Sequence, residues 1–181
     1  MRVIAGTHRG RRLVAPDTSD TRPVADRVKE SIFSSLGSRV VDAAVADLYA
    51  GAGSFGIEAL SRGAGSVVFV ESGRKALAAL ATNLESLQLE GKVVSGTVER
   101  FLVAPVGGPF DLVFCDPPWP LASDKLGTAM ELLWPLLRSG ALVVVTRRAG
   151  DPVPQPEGYE IDDQRRMGDT RVVRYAKMEA A

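Results

Sequence analysis

Residues 47–56 read Asp47-Leu48-Tyr49-Ala50-Gly51-Ala52-Gly53-Ser54-Phe55-Gly56, and their order decides the fold. The apolar run over residues 45–49 enters as a short strand. A G-x-G-x-x-G pattern turns the chain, and a helix is predicted over residues 54–62. Glycine lets the main chain turn sharply and approach a ligand with no Cβ in the way. The start of the helix presents amide hydrogens that have no partner within it.

The same alternation continues outward from this turn. Ser66–Glu71 (SVVFVE) is a β-branched strand, and residues 73–89 place Leu77, Leu80, Leu84 and Leu87 at helical spacing. Val93-Val94 opens a third strand, and residues 111–115 (DLVFC) form a fourth. A helix is predicted over residues 123–137, with Ser139-Gly140 as its stop signal, followed by a strand at 142–146. Strands alternating with helices predict a parallel sheet covered on both faces, and runs such as VVFV and LVVV suit double burial. The end of the chain differs. After an extended loop with Pro152, Pro154 and Pro156, two strands flank the turn Gly168-Asp169, which predicts an antiparallel hairpin on the sheet. Residues 1–21 read as a separate small β-hairpin extension: a short strand, a turn over residues 6–10, and a return over 11–14. Residues 22–181 form the main domain. They begin with a joining helix over 22–36 whose Val24, Val28, Ile32 and Phe33 lie near one face.

The bulk numbers bound the function. The 181 residues suit one domain with a small appendage, and 45% apolar with 24% charged residues is a globular balance. No apolar run is long enough for a membrane span, and the start Met1-Arg2-Val3-Ile4-Ala5-Gly6 is charged too soon for a secretory signal. The expected compartment is the cytoplasm. One cysteine, Cys115, gives no disulfide framework, and one histidine, His8, makes zinc binding and histidine catalysis poor expectations; no metal is assigned. Net charge is zero, but its distribution is uneven. Arg2, Arg9, Arg11, Arg12, Arg22, Arg27 and Lys29 face only four acidic residues within residues 1–30. That basic end reads equally as a phosphate-contacting surface or as a solvated face.

The glycine loop fits a nucleotide-like cofactor. Glu71 ends the next strand, 20 positions after Gly51, where a carboxylate can accept hydrogen bonds from ribose hydroxyls. The same spacing describes a nicotinamide dehydrogenase, and a glycine turn can also exist without a ligand. The motif alone leaves these open.

Asp116-Pro117-Pro118-Trp119 follows the strand DLVFC, and so sits on the edge of the sheet that carries the glycine loop. These residue types suit one task. An exocyclic amine of a nucleobase is a weak nucleophile because its lone pair is delocalised into the ring. Two acceptors that take both amine hydrogens favour a more tetrahedral nitrogen with its lone pair aimed at a methyl donor. Asp116 can supply a carboxylate oxygen and Pro117 a main-chain carbonyl, while the prolines restrict the backbone that carries it. Trp119 offers a flat surface for a base taken out of its stack. Hydride transfer has no use for this tetrapeptide. The plain alternatives are a rigid turn and a core aromatic. Cys115 reads as a small buried strand residue.

Taken together, MRVIAGTHRGRRL, TRPVADRVKESIFSSL, DLYAGAGSFGIEALSRGA, FDLVFCDPPW and the closing MGDTRVVRY resemble the RsmD family of small-subunit ribosomal RNA guanine-N2 methyltransferases. The resemblance spans almost the whole chain. It implies the Rossmann-like class I methyltransferase fold: a mostly parallel seven-stranded sheet with an antiparallel C-terminal hairpin, plus the N-terminal hairpin. It implies S-adenosyl-L-methionine as cofactor, held by Asp47, Tyr49, Gly51, Gly53, Glu71, Ser72 and Val98, with Asp47 near the methionine part. It assigns Asp116, Pro117, Pro118 and Trp119 to the target guanine, in 16S rRNA of the assembled small subunit. It assigns Arg9, Arg11, Arg12, Arg22 and Arg27 to RNA phosphates. A monomer is expected. The chain departs from the family's pattern in places. Thr97, Val98 and Glu99 stand where an acidic adenine contact is common. The strand ending at Thr146 lacks an expected acidic residue and receives no role. Trp119 replaces a common Phe or Tyr. Methylation of adenine N6 or a glutamine amide, and a non-catalytic RNA-binding module of the same fold, are the competing readings.

Overall fold

The computed structural model describes residues 1–16, 26–119 and 121–178. Within them, seven strands form one sheet in the order β3-β2-β1-β4-β5-β7-β6. The strands are β1 (Ala44–Leu48), β2 (Ser66–Glu71), β3 (Lys92–Ser95), β4 (Phe110–Cys115), β5 (Leu137–Arg148), β6 (Tyr159–Met167) and β7 (Thr170–Lys177). β1 to β5 run parallel, and β7 pairs antiparallel with both β5 and β6. This is the predicted parallel sheet with its antiparallel end hairpin.

The helices are α1 (Asp26–Leu36), α2 (Ser54–Ser61), α3 (Arg74–Leu87), α4 (Val98–Val103) and α5 (Ser123–Leu133). Alternation along each strand divides the core into two layers. Val45, Phe69, Leu112, Phe114 and Val144 pack with Phe33 of α1, Phe55 of α2 and Leu80 of α3. Ala46, Leu48, Val113, Cys115 and Val145 pack with Phe101 of α4 and Leu126 and Met130 of α5. Apolar faces on both sides account for the near-continuous hydrophobic strands.

Several boundaries differ from expectation. The predicted helix over 123–137 stops at Leu133. Trp134-Pro135 begins a short 3-10 turn (Trp134–Leu136), because proline cannot continue the ladder. Ser139-Gly140 is not a helix stop: it lies inside β5, beside the register shift opposite Phe110 and Leu112, with Gly140 at φ 70. α4 has no counterpart in the sequence pattern. The joining helix is described from Asp26 onward, so Arg22 and Val24 lie outside the described residues.

Residues 1–14 form a hairpin with one antiparallel bridge, Arg2 to Arg12. Val3 and Leu13 join the same buried cluster as Phe33 and Phe55. The attachment is also polar. Glu58 of α2 is fully buried, and its carboxylate accepts the amides of Ile4 at 2.7 Å and Ala5 at 3.0 Å and the Arg62 side chain at 2.7 Å. Lys29 of α1, equally buried, lies 3.5 Å from Glu58 and donates to the Arg2 carbonyl at 2.7 Å. Burial lowers the Lys29 pKa, and Glu58 opposes that shift. Two charges with no water need partners on every side, and the hairpin's main chain supplies several of them.

Candidate active site

β1 and β4 are neighbours, yet the chain leaves them in opposite directions across the sheet, which opens a crevice at their carboxyl ends. The glycine loop closes one side of it. Gly53 has φ 87, and a Cβ there would lie 2.5 Å from Leu80 Cδ1. Gly51 has φ 57, but a Cβ there would meet nothing within 4 Å. The first glycine therefore faces open space and the second is locked under α3.

Alternation sends Asp47 to the α2 side of β1. It is fully buried, and its Oδ2 accepts the Gly56 amide at 2.8 Å while Oδ1 has no partner. Burial holds its carboxyl well above the ordinary carboxylate range; the Gly56 bond opposes this, and Asp116 and Glu71 add to it. Tyr49 stands at φ 59 with its phenol buried, unpartnered and raised in pKa by that burial. The Ser54 hydroxyl, at the start of α2, is a third buried atom without a partner. Three polar groups around one glycine loop that have no partner among the described residues fit a polar ligand there.

Glu71 ends β2 beside them. Its Oε2 accepts the Gly51 amide at 2.8 Å, and its Oε1 accepts those of Ser72 at 2.8 Å and Gly73 at 2.6 Å. The carboxylate thus ties the loop to the strand, and its Oε2 keeps one lone pair for a ribose hydroxyl. Val98, one residue after the Thr97 cap of α4, is buried among Val70, Phe101 and their neighbours.

Asp116 and Thr146 continue the pairing of Cys115 with Val145 by one residue, so their side chains emerge on the same face. The Thr146 hydroxyl donates to Asp116 Oδ1. Burial pushes the Asp116 carboxyl up to about 6, and the Thr146 bond holds it down. Thr146, given no role from sequence, is therefore the residue that sequence reasoning missed. Its signal was the two-residue period of β5 placed in register with β4. Pro117 is buried, and its carbonyl accepts no hydrogen bond among the described residues. The Pro118 carbonyl accepts the Leu121 amide at 2.9 Å, which curls the loop and sets Trp119 at 36% exposure. Arg148 lies over the Trp119 ring, 5.9 Å from its centroid. Cys115 is buried with its thiol raised by desolvation, which fits a packing residue.

The N-terminal arginines lie elsewhere. α2 starts at the glycine loop and ends at Ser61, about 12 Å away for its eight residues. Thr7 and His8, in the hairpin turn, bond to Ser61 at that far end. Arg11 reaches the Ser86 carbonyl near the end of α3 at 3.1 Å, and Arg9 and Arg12 are exposed. The structure does not bring Arg9 and Arg11 to Asp116. Arg27 is exposed near the start of α1, and that start points toward the crevice edge: Ser35 accepts from Arg174, level with Val144, whereas Ser31 accepts from Arg165, level with Thr146.

The family model described as conserved hypothetical protein 95 matches residues 1–176. The chain belongs to this family. It is the RsmD family, and its cofactor is S-adenosyl-L-methionine. A Haemophilus influenzae relative named ribosomal RNA small subunit methyltransferase D is 34% identical over 93% of this chain and 89% of its own. The solved structure of the Escherichia coli protein yhhF is 33% identical, covers 98% of both chains and superposes with a TM-score of 0.87. SMU.776, crystallised with SAH, is 13% identical over 83% of this chain and 48% of its own, with a TM-score of 0.69, and shares the fold. The Rossmann-like methyltransferase architecture of the RsmD family thus accommodates every element described above. No helix among the described residues is long and apolar enough to cross a membrane.

Proposed function

We propose that this protein transfers a methyl group from S-adenosyl-L-methionine to the exocyclic N2 amine of a guanine in 16S rRNA, acting as a cytoplasmic monomer on the assembled small subunit. One observation carries the reading: Asp116 is oriented by Thr146 at the crevice edge, next to a Pro117 carbonyl that accepts no hydrogen bond among the described residues. Relatives named for small-subunit rRNA methylation support the substrate.

The residues around Gly51 fit the cofactor, which supplies a methyl group on a positively charged sulfur. Glu71 would take its ribose, Asp47 and Tyr49 its polar groups, and Gly51, Gly53, Ser72 and Val98 the remaining contacts. With Oδ1 engaged by Thr146, Asp116 offers Oδ2 to one amine hydrogen, and Pro117 offers its carbonyl to the other. Both acceptors are fixed before the base arrives, and that preorganisation is the main source of rate. Pro118 bends the loop, and Trp119 stacks the extruded base. Residues 1–21 would serve as a contact module. Arg9, Arg11 and Arg12, with Arg22 and Arg27, would hold subunit phosphates, the hairpin tip meeting RNA distant from the target base.

Mass spectrometry of 16S rRNA from a deletion strain tests the proposal. The expected result is loss of one N2-methylguanine, restored by the wild-type gene and not by Asp116→Ala. Persistence of every methylated guanine overturns it, and labelling of DNA but not of subunits favours an adenine or other amine.

A further inference from the structure

Beyond Trp119 the sheet edge continues into an open cavity of about 420 Å³, lined by Arg148, Ala149, Gly150, Asp151, Arg166 and Asp169. Its floor is braced. Arg171 donates to the carbonyls of Ala149 at 2.5 Å and Asp151 at 3.1 Å, and the Ala149 amide donates to the Asp169 carbonyl at 2.8 Å. The turn after β5 is thereby tied to the turn between β6 and β7. Buried Arg147 lies 3.3 Å from Asp151 and neutralises that carboxylate.

Two guanidiniums remain on the rim. Arg148 and Arg166 are both exposed, and neither joins an ion pair among the described residues. Arg166 commits its Nε to the Gly168 carbonyl at 3.2 Å. Among the lining residues described, and with Asp151 neutralised, only the Asp169 carboxylate stands against them. Arg148 also spans two environments, since it lies over the Trp119 ring and lines the cavity. A planar fork of donors suits phosphate oxygens, and a guanidinium over an aromatic ring leaves its edge free to bond.

We propose that Arg148 and Arg166 hold backbone phosphates of the RNA strand that delivers its base to Trp119. This rests on the proposal that Trp119 receives a nucleobase. It separates two RNA contacts: one at the reacting edge, made by β5 and β6, and one at the hairpin tip, far from the chemistry. The rim arginines would anchor the strand on either side of the extruded nucleotide, so their contribution is to substrate binding more than to turnover.

The test uses the full-length protein with purified small subunits from the deletion strain, and with a single-stranded RNA oligomer. Binding is measured across a salt series, alongside methylation kinetics. For Arg148→Gln/Arg166→Gln, the slope of log Kobs against log salt on the oligomer becomes shallower by about 1.4, the share of two single-strand phosphate contacts. KM for subunits rises at least tenfold while kcat at saturation stays near wild type. Arg148→Lys/Arg166→Lys recovers most of the slope. Unchanged S-adenosylmethionine binding by calorimetry shows that the variants are folded. A wild-type slope and KM in the Gln pair, or equal loss in the Gln and Lys pairs, overturns the proposal. The oligomer measurement needs no methyl transfer. If the wild-type protein methylates no subunit, the proposed function fails while the rim contact is still decided by the slope.

Discussion

Thr146→Val removes one hydroxyl from a site whose side-chain volume it preserves, and its effect should appear as a displaced pH profile. The Thr146 hydroxyl donates to Asp116 Oδ1, and burial pushes that carboxyl up to about 6. Asp116 must be ionised to accept an amine hydrogen on Oδ2, so activity falls as pH drops through about 6. A hydrogen bond to a charged group contributes about 1.5–3 kcal/mol, and each pKa unit is about 1.36 kcal/mol, so its loss raises the carboxyl by about one to two units. The acid limb of kcat/KM should then move from about 6 to about 7–8, leaving the variant about 3- to 25-fold slower at about pH 6.5 and near wild type at about pH 9. Initial rates with radiolabelled cofactor on small subunits, taken across the pH range, measure this. Thr146→Ser should restore the wild-type limb. An acid limb that does not move, or an equal loss at every pH, would refute the assignment of Thr146 as the residue that sets the charge on Asp116.

Asp116→Asn abolishes methylation yet stabilises the fold at neutral pH. A carboxyl raised in the folded state loses stability as pH rises through about 6, so the variant's advantage in chemical denaturation is absent near pH 4, at most about 3 kcal/mol above 6, and constant beyond. Glu58→Gln breaks a buried pair and should cost about 3–5 kcal/mol in urea unfolding, with early proteolysis within residues 1–16. Gly53→Ala should lose about 1–3 kcal/mol and weaken cofactor binding by calorimetry, and Gly51→Ala should cost less stability, because only the former meets Leu80. Cys115 should resist alkylation in the native protein, and Cys115→Ser should retain methylation, since the thiol is buried and raised in pKa.

The sheet was legible because its strands carry strong patterns. VVFV and LVVV are buried on two faces, and the glycine pattern, Glu71 and Asp116 each mark a strand end. What escaped the sequence depended on neighbours. α4 is six residues long, too short for periodicity to show, and its local marks are Glu99 in the first turn and Thr97, whose hydroxyl accepts the Arg100 amide at 3.3 Å. Gly140 looks like a helix stop, but the same left-handed preference serves a bulge within β5, and only pairing with β4 distinguishes them. Thr146 acquires meaning only when Val145 is set against Cys115. The glycine pattern reads as a cofactor site, and the structure adds why a side chain at the second glycine is strained: Leu80 comes from a helix almost thirty residues downstream.

The docking of residues 1–14 carries a consequence for how the chain assembles. Ile4 finds its partner in Glu58, 54 positions later, and Val14 finds Asn83, 69 positions later. Residues 1–14 therefore have nowhere to settle until α2 and α3 are in place. Contacts of such long range slow folding, because loop closure precedes the gain from burial. Until then Val3 and Leu13 stay exposed to water, and Glu58 and Lys29 stay hydrated. Closing the hairpin is thus a late step that desolvates a charge pair and seals one layer of the core together.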